Sequence, residues 1–318
     1  QGNFTTGIFN SGSTGLNYPT ALFADTAGNL WVADYLNNRV LRYGNAAGLG
    51  NGAAASAVLG QATFAIISAG TSQSKMNRPA TVYVDPAGRL WVSEQLNNRV
   101  LRFDAAAGLA NGAAATAVLG QANFTSSSSG LGASAFNNPS GLAMDAAGTL
   151  YVGDAGNNRV LFFRNVAAKG NGAPADGVFG QVNLTTNGAG VSQRNLDNPY
   201  GSYAIDAGGA LWVCDGDNNR ILRFSPDRTR PTVRVTKRVP ATTTAGRLAL
   251  AGKSADATSG IESVRVRVNK GPSRLAKGTT SWRAQAKLSR GKNRILITAT
   301  DGAGNLSVPQ RLRVTRGG

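Results

Sequence analysis

A unit of about sixty residues is written four times along this chain. The segments DTAGNLWVADYLNNRVLRY, DPAGRLWVSEQLNNRVLRF, DAAGTLYVGDAGNNRVLFF and DAGGALWVCDGDNNRILRF begin at Asp25, Asp85, Asp145 and Asp206, giving offsets of 60, 60 and 61 residues. Repetition at such a period marks modules that cannot bury their apolar faces alone and must stack side by side. It constrains architecture far more than chemistry.

Each unit runs through the same signals. A proline (Pro19, Pro79, Pro139, Pro199) precedes a short apolar run, and the run ends in an Asp-initiated, Gly-closed turn such as Asp25-Thr26-Ala27-Gly28. That is type I turn chemistry, with the carboxylate capping nearby amides. A β-rich strand follows, Leu30–Ala33 in the first unit, ending on a carboxylate; a double-Asn turn then leads into Arg39–Tyr43. There Val40 and Arg42 face one way and Leu41 the other. Ala57–Leu59, Ala117–Leu119 and Gly177–Phe179 read as fourth strands, each closed by Gly-Gln. Four short antiparallel strands per unit, repeated radially, predict propeller blades. The period exceeds the ~40–45 residues of a compact blade. The excess lies in two Gly/Ala/Ser-rich loops, whose length points to function or a mobile surface. The fourth unit passes from Phe224 to Ser225-Pro226-Asp227 without a fourth strand, and Gln1 aligns with Gln61, Gln121 and Gln181. The expectation is at least four blades, with a ring-closing strand belonging immediately upstream of Gln1 and with processing or an omitted upstream segment.

Charge divides the chain independently. The net charge is +17, yet residues 1–227 carry thirteen basic and thirteen acidic side chains, so the whole excess belongs to residues 228–318. The repeat pattern stops at the same place, near Pro226-Asp227. Beyond it, Thr232–Thr236, Arg247–Ala251, Glu262–Val268, Ser281–Ala286, Arg294–Ala299 and Arg311–Thr315 read as strands, with turns at Gly260, Gly271, Gly291 and Gly302. This is sandwich spacing. The single cysteine, Cys214, has no internal disulfide partner and aligns with Ala33, Ser93 and Gly153, so it is expected to be a small buried filler. No apolar run reaches the ~18 residues of a membrane span.

Side chains that recur in every unit are expected to serve the fold. Asp25, Asp85, Asp145 and Asp206 occupy one turn; Asp34, Glu94, Asp154 and Asp215 end the next strand. These carboxylates suit backbone capping or pairing with Arg39, Arg99, Arg159 and Arg220. None sits in a calcium-loop pattern, and no metal site is read from them. A site belongs where the units disagree. Tyr18, Arg78, Asn138 and Asn198 precede the prolines and Tyr200 follows one, placing all five around the mouth of a central channel. They offer hydrogen bonds and aromatic faces without an acid–base pair, which is ligand-binding chemistry, and no catalytic residue is assigned. In the basic segment, Arg265 and Arg267 share a strand face opposite Val264, Val266 and Val268. With Lys287, Arg290, Lys292 and Arg294 they form a candidate contact for an anionic surface. Trp282 is the one aromatic residue there, so base stacking has little material and specific nucleic-acid binding is not expected.

The pattern P-x5-D-x2-G-x-L-[WY]-V-x-[DE]-x2-NNR-[VI]-L, from Pro19 to Phe224, resembles the NHL repeat. The resemblance implies a β-propeller used to bind protein or RNA, and in some members a lyase. The linkers of VLGQ-x-NFT type resemble those of secreted or surface bacterial NHL proteins. Amidating and antibiotic lyases of that wider group depend on histidines, of which this chain has 0; related hydrolases bind calcium through channel carboxylates. The segments SADATSGIESVRVRVN, SWRAQAKLSRGKNRILITATDGAGNLS and RLRVT resemble bacterial immunoglobulin-like surface modules, with Asp301–Ser307 the most specific part. The combined expectation is an all-β chain: an NHL-type propeller over 1–227, then a basic immunoglobulin-like sandwich over 228–318. Its expected role is extracytoplasmic binding or structure, secreted or at the cell surface. The propeller would be a scaffold for a protein or glycan ligand, and the sandwich a spacer or an attachment to anionic surface polymer. The balance points away from an enzyme and from any cofactor. The alternative is a propeller-type lyase or hydrolase, calcium-supported.

Overall fold

The computed structural model describes residues 9–225, 229–257, 260–302 and 305–318. Gln1, the Pro226-Asp227 boundary and the middle of the Asp301–Ser307 stretch lie outside the described residues. The chain is almost wholly β and divides into two compact units, Gln1–Phe224 and Ser225–Gly318.

The first unit holds four sheets, one per sequence repeat. Strands β1 (Pro19–Ala24), β2 (Leu30–Asp34), β3 (Arg39–Tyr43) and β4 (Ala57–Leu59) form the first, hydrogen-bonded in chain order. Strands β5 (Pro79–Val84), β6 (Leu90–Glu94), β7 (Arg99–Phe103) and β8 (Ala117–Leu119) form the second. The third consists of β9 (Pro139–Met144), β10 (Leu150–Asp154), β11 (Arg159–Phe163) and β12 (Gly177–Phe179). The fourth has three strands, β13 (Tyr203–Ile205), β14 (Leu211–Asp215) and β15 (Arg220–Phe224). Its inner strand starts late because the extra residue of this repeat falls at Tyr200-Gly201, where Gly201 takes φ 112°.

Turn chemistry explains the regularity. Asp25 Oδ1 accepts from the Ala27 and Asn29 amides at 3.0 and 2.9 Å, and Gly28 takes the left-handed φ of 82° that closes the turn. Asn38, Asn98, Asn158 and Asn219 occupy the left-handed region at the double-Asn turn, a conformation Asn tolerates. Asp25 and its counterparts also accept from the ring two residues into the next strand: Trp31, Trp91 and Trp212 through Nε1, Tyr151 through its hydroxyl.

Sheets stack face on face. One side of the first sheet, Trp31, Ala33, Val40 and Leu59, packs on Val82, Leu90, Val92, Leu101 and Phe103 of the second. The second meets the third through Trp91 and Val100 against Leu142, Leu150, Leu161 and Phe163. The third meets the fourth through Ala143 and Val160 against Tyr203, Leu211 and Val213. Every large side chain so buried contributes about 1.5–3 kcal/mol. Cys214 departs from its expected role as a buried filler. Ala33 and Ser93 at the equivalent position are fully buried, but Cys214 is half-exposed because its face of the fourth sheet is uncovered.

The second unit contains β16 (Thr232–Val235), β17 (Thr242–Thr243), β18 (Arg247–Ala255), β19 (Ile261–Val268), β20 (Arg274–Leu275), β21 (Ser281–Lys287), β22 (Gly291–Asp301) and β23 (Gln310–Arg316). They make a three-stranded sheet, β16-β18-β21, and a five-stranded sheet, β17-β23-β22-β19-β20. All pairings are antiparallel except β17 with β23. Both sheets contribute to one core, around Trp282, Leu250, Val264, Val266, Ile295, Ile297 and Val314. The two-residue strands β17 and β20 carry no alternation of their own and escape sequence reading.

Acid should weaken the first unit. The Ala210 amide and Trp212 indole bonds hold Asp206 down at about 2, with Arg223 adding. At Asp25 burial pushes upward, but the Trp31 and Asn29 hydrogen bonds outweigh it and the carboxyl is also depressed. Carboxyls lowered in the folded state stabilise it above their unfolded value, here 3.8, and lose that contribution as pH falls toward about 2. Thermal melts across that window should fall steeply for the wild-type chain. Asp206→Asn should flatten the slope while lowering the melting temperature at neutral pH.

Candidate functional site

The carboxylates that end the second strands are the anchors of arginine hubs. Arg39 Nε donates to Asp34 Oδ2 at 2.7 Å with both side chains fully buried. Its Nη1 donates to the Phe64 carbonyl and its Nη2 to those of Gly12 and Gly15. Arg99 joins Glu94 to the carbonyls of Phe124, Ser72 and Lys75. Arg159 joins Asp154 to Leu184, Gly132 and Ala135, and Arg220 joins Asp215 to Val191, Ser192 and Asn195. The other carboxylate oxygen takes the amide of Asn17, Asn77, Asn137 or Asp197. Each guanidinium therefore pins the long loop that leads from the closing Gln to the next proline, whose length points to function or a mobile surface. Burial pushes Glu94 upward, and Asp154 to about 6, against the pull of Arg99 and Arg159. Among the described residues no group of three or more His, Cys, Asp and Glu comes together to hold a metal.

The residues just before the prolines share one backbone state. Tyr18, Arg78, Asn138 and Asn198 have φ of 55°, 57°, 56° and 45°. For Tyr and Arg this left-handed conformation is strained. The backbone is common to the repeats while the side chains differ. Arg78, Asn138 and Asn198 each donate their amide to Oδ1 of the preceding repeat's Asn38, Asn98 or Asn158, at 2.8–3.0 Å.

Part of this ring converges. The Tyr18 and Tyr35 rings lie 5.8 Å apart, and the Arg78 guanidinium sits 5.0 Å over Tyr35. The Tyr35 hydroxyl donates to Gln95 Oε1 at 2.6 Å. Burial raises the Tyr200 phenol above its usual range, and the neighbouring Tyr35 and Tyr18 phenols raise it further. Tyr200 stands against the Gly216-Asp217 turn, where Asn198 Nδ2 donates to Asp217 Oδ1 at 3.2 Å. Asn138 remains apart and exposed. Tyr35, Gln95 and Asp217 are additions to the sequence reading. All three follow the strand-ending carboxylate, at positions where the repeats disagree as much as they do before the prolines: Tyr35, Gln95, Ala155 and Gly216, then Leu36, Leu96, Gly156 and Asp217. These positions thus bring together a cation, three phenols, two amides and an exposed carboxylate.

A second surface lies on β19, β22 and β23. Cross-strand register sets Arg267 beside Leu296 and Leu296 beside Arg311, and Arg294 directly opposite Arg313. Arg265 is two residues along the same face. All five arginines are exposed. Like charges placed directly opposite are unfavourable without a counter-charge. Lys292 and Arg290 are exposed at the adjoining turn, whereas Lys287 belongs to the other sheet, paired with Arg247. Arg311 and Arg313 were not among the candidates, although their alternation in RLRVT carries the signal.

Comparison with known families matches the NHL repeat to residues 136–163, which span β9 to β11. No curated protein matches. Among solved structures, the chain aligns with virginiamycin B lyase from Staphylococcus aureus at 10% identity, covering 92% of this chain and 83% of that one, TM-score 0.36. It aligns with the PQQ-bound aldose sugar dehydrogenase of Streptomyces coelicolor at 15% identity, 88% and 97% coverage, TM-score 0.33. A copper-bound fungal alcohol oxidase aligns at 12% identity, 92% and 63% coverage, TM-score 0.32. These catalysts correct the expectation that the chain is not an enzyme. At such identities and scores, no activity passes from them to this chain.

Proposed function

We propose that the four repeat sheets are blades of an NHL-type propeller, that residues 228–318 are an immunoglobulin-like sandwich, and that the protein is an extracytoplasmic lyase or hydrolase working at the channel mouth. The observation that carries this reading is the convergence of Tyr18, Tyr35, Arg78, Gln95 and Tyr200 where the repeats differ, with the Gly216-Asp217 turn against Tyr200. Arg78 would hold an anionic group and the rings of Tyr18 and Tyr35 would cover a sugar or aromatic face. Tyr200, kept protonated by its raised pKa, is the proton donor, and the exposed Asp217 carboxylate is the acceptor. The substrate class that fits is a carboxylate-bearing glycan or lactone. The test is turnover on a panel of uronate-containing polysaccharides, lactones and esters. Tyr200→Phe and Asp217→Asn should each lower turnover by ~10²-fold or more with unchanged melting temperature. No turnover on any panel member, or full activity in both variants, would overturn the reading.

The arginine face of the second unit is proposed to hold the enzyme on acidic surface polymer. No helix among the described residues is long and apolar enough to cross a membrane, and electrostatic attachment needs none. Attraction between exposed charges is screened over about 8 Å at physiological ionic strength. Retention on anionic polymer should therefore weaken with added salt and should be lost in the Arg267→Glu/Arg311→Glu double variant. Equal retention of that variant would remove the attachment role.

A further inference from the structure

Three times within this chain the trailing face of one repeat sheet covers the leading face of the next. Among the described residues both faces recur a fourth time uncovered. On the trailing side, Trp31 and Trp91 are 1% exposed, whereas Trp212 is 39% exposed. Val40, Val100 and Val160 are fully buried, whereas Ile221 is 64% exposed. On the leading side, Val82 and Leu142 are 3% exposed, whereas Leu22 is 69% exposed. A cleft of about 940 Å³ follows the inner strands β1, β5, β9 and β13, with Val82, Leu142 and Tyr203 in its lining, and this leading face is the part of it formed by Leu22, Leu30, Val32, Tyr43 and Leu49. It is the surface that Val82, Leu90, Val92, Phe103 and Leu109 present to the first sheet within the chain.

The two uncovered faces are complementary by repetition. Arg223 lies over Trp212 at 5.7 Å, as Arg102 lies over Trp91 at 5.7 Å and Arg42 over Trp31 at 6.0 Å. The polar latch is duplicated as well. The amides of Arg78, Asn138 and Asn198 meet Oδ1 of Asn38, Asn98 and Asn158, and the corresponding members at the two ends are the Tyr18 amide and Asn219.

We infer that these faces dock a second copy of this chain head to tail, the fourth sheet of one copy covering the first sheet of the next. The occupant is a second copy because the chain carries both halves of a contact it already makes three times. Such a contact is heterologous: it closes into a ring or continues as a row. It lies beyond the proposed chemistry and stands without it.

Sedimentation of the full chain over a concentration series tests this. Wild type should associate, while Leu22→Glu, damaged only on the leading face, and Ile221→Glu, damaged only on the trailing face, should each raise the Kd at least tenfold. Both side chains are already exposed, so both variants should retain the wild-type melt. An equimolar mixture of the two variants should form a dimer and stop there, since each copy supplies the one face the other lacks. Quenching of Trp212 fluorescence by acrylamide should fall as wild-type concentration rises. A wild-type chain that stays monomeric to ~100 µM, far above a micromolar Kd, would overturn the inference. So would undiminished association of both variants, or their failure to pair on mixing.

Discussion

Arg99→Ala is expected to destabilise the first unit by about 3–5 kcal/mol, the usual cost of leaving one partner of a buried ion pair alone. The substitution strands the Glu94 carboxylate in a fully buried site, and it frees the carbonyls of Phe124, Ser72 and Lys75 that fasten two loops. Lysine in this position would keep the charge but not the planar fork that serves Glu94 and three carbonyls together. Glu94→Leu/Arg99→Met should cost less than Arg99→Ala, because no charge is then buried unpaired. Urea unfolding of the two variants measures the difference. A cost below about 1 kcal/mol for Arg99→Ala would mean that the hub behaves as an ordinary surface pair.

Gly252→Ala should damage the second unit as severely. Gly252 lies on β18 between Val235 of β16 and Trp282 of β21. A Cβ there would overlap the Arg234 carbonyl oxygen and the Trp282 indole. The first is backbone fixed in a sheet, and the second is a rigid ring that is 1% exposed at the centre of the core. Neither can retreat without opening the β16-β18-β21 sheet. The expected loss is about 3 kcal/mol or more, at the upper end of overpacking costs. It should be seen as early melting of residues 225–318, with the first unit unaffected. Hydrogen exchange resolves the two units separately, and wild-type protection along β18 would contradict the account.

Much of the fold is legible in the sequence because repetition is redundant. The Asp25 turn, the Leu30–Asp34 strand and the Asn38 turn are each written four times, so local ambiguity in one copy is resolved by the others. Chemistry is harder to read. Tyr35, Gln95 and Asp217 sit within a motif whose neighbours hardly vary, Asp34 being Asp or Glu and Arg39 always Arg, and their variability reads as noise until the fold brings them near Tyr18, Arg78 and Tyr200. The long loops were misleading for a related reason. Their length points to function or a mobile surface, but what fixes the loop from the closing Gln to the next proline is a guanidinium from a strand, a contact with no local signature. The half-exposure of Cys214 was also out of reach, since it depends on what covers the fourth sheet rather than on Cys214 itself.

In the proposed reading, side chains that recur in this chain maintain its architecture, and those that differ before the prolines and after the strand-ending carboxylates do its chemistry. Arg78 and Arg99 are the sharpest pair for testing this, being one residue type in one repeat. The measurement is the thermal melt and the turnover of Arg78→Ala and Arg99→Ala, side by side, on the substrate that the panel identifies. The account predicts that Arg78→Ala melts with the wild-type chain and loses turnover at least tenfold, whereas Arg99→Ala melts far lower and loses turnover only in proportion to its unfolded fraction. An Arg78→Ala chain that melts early, or that keeps full turnover, would contradict it.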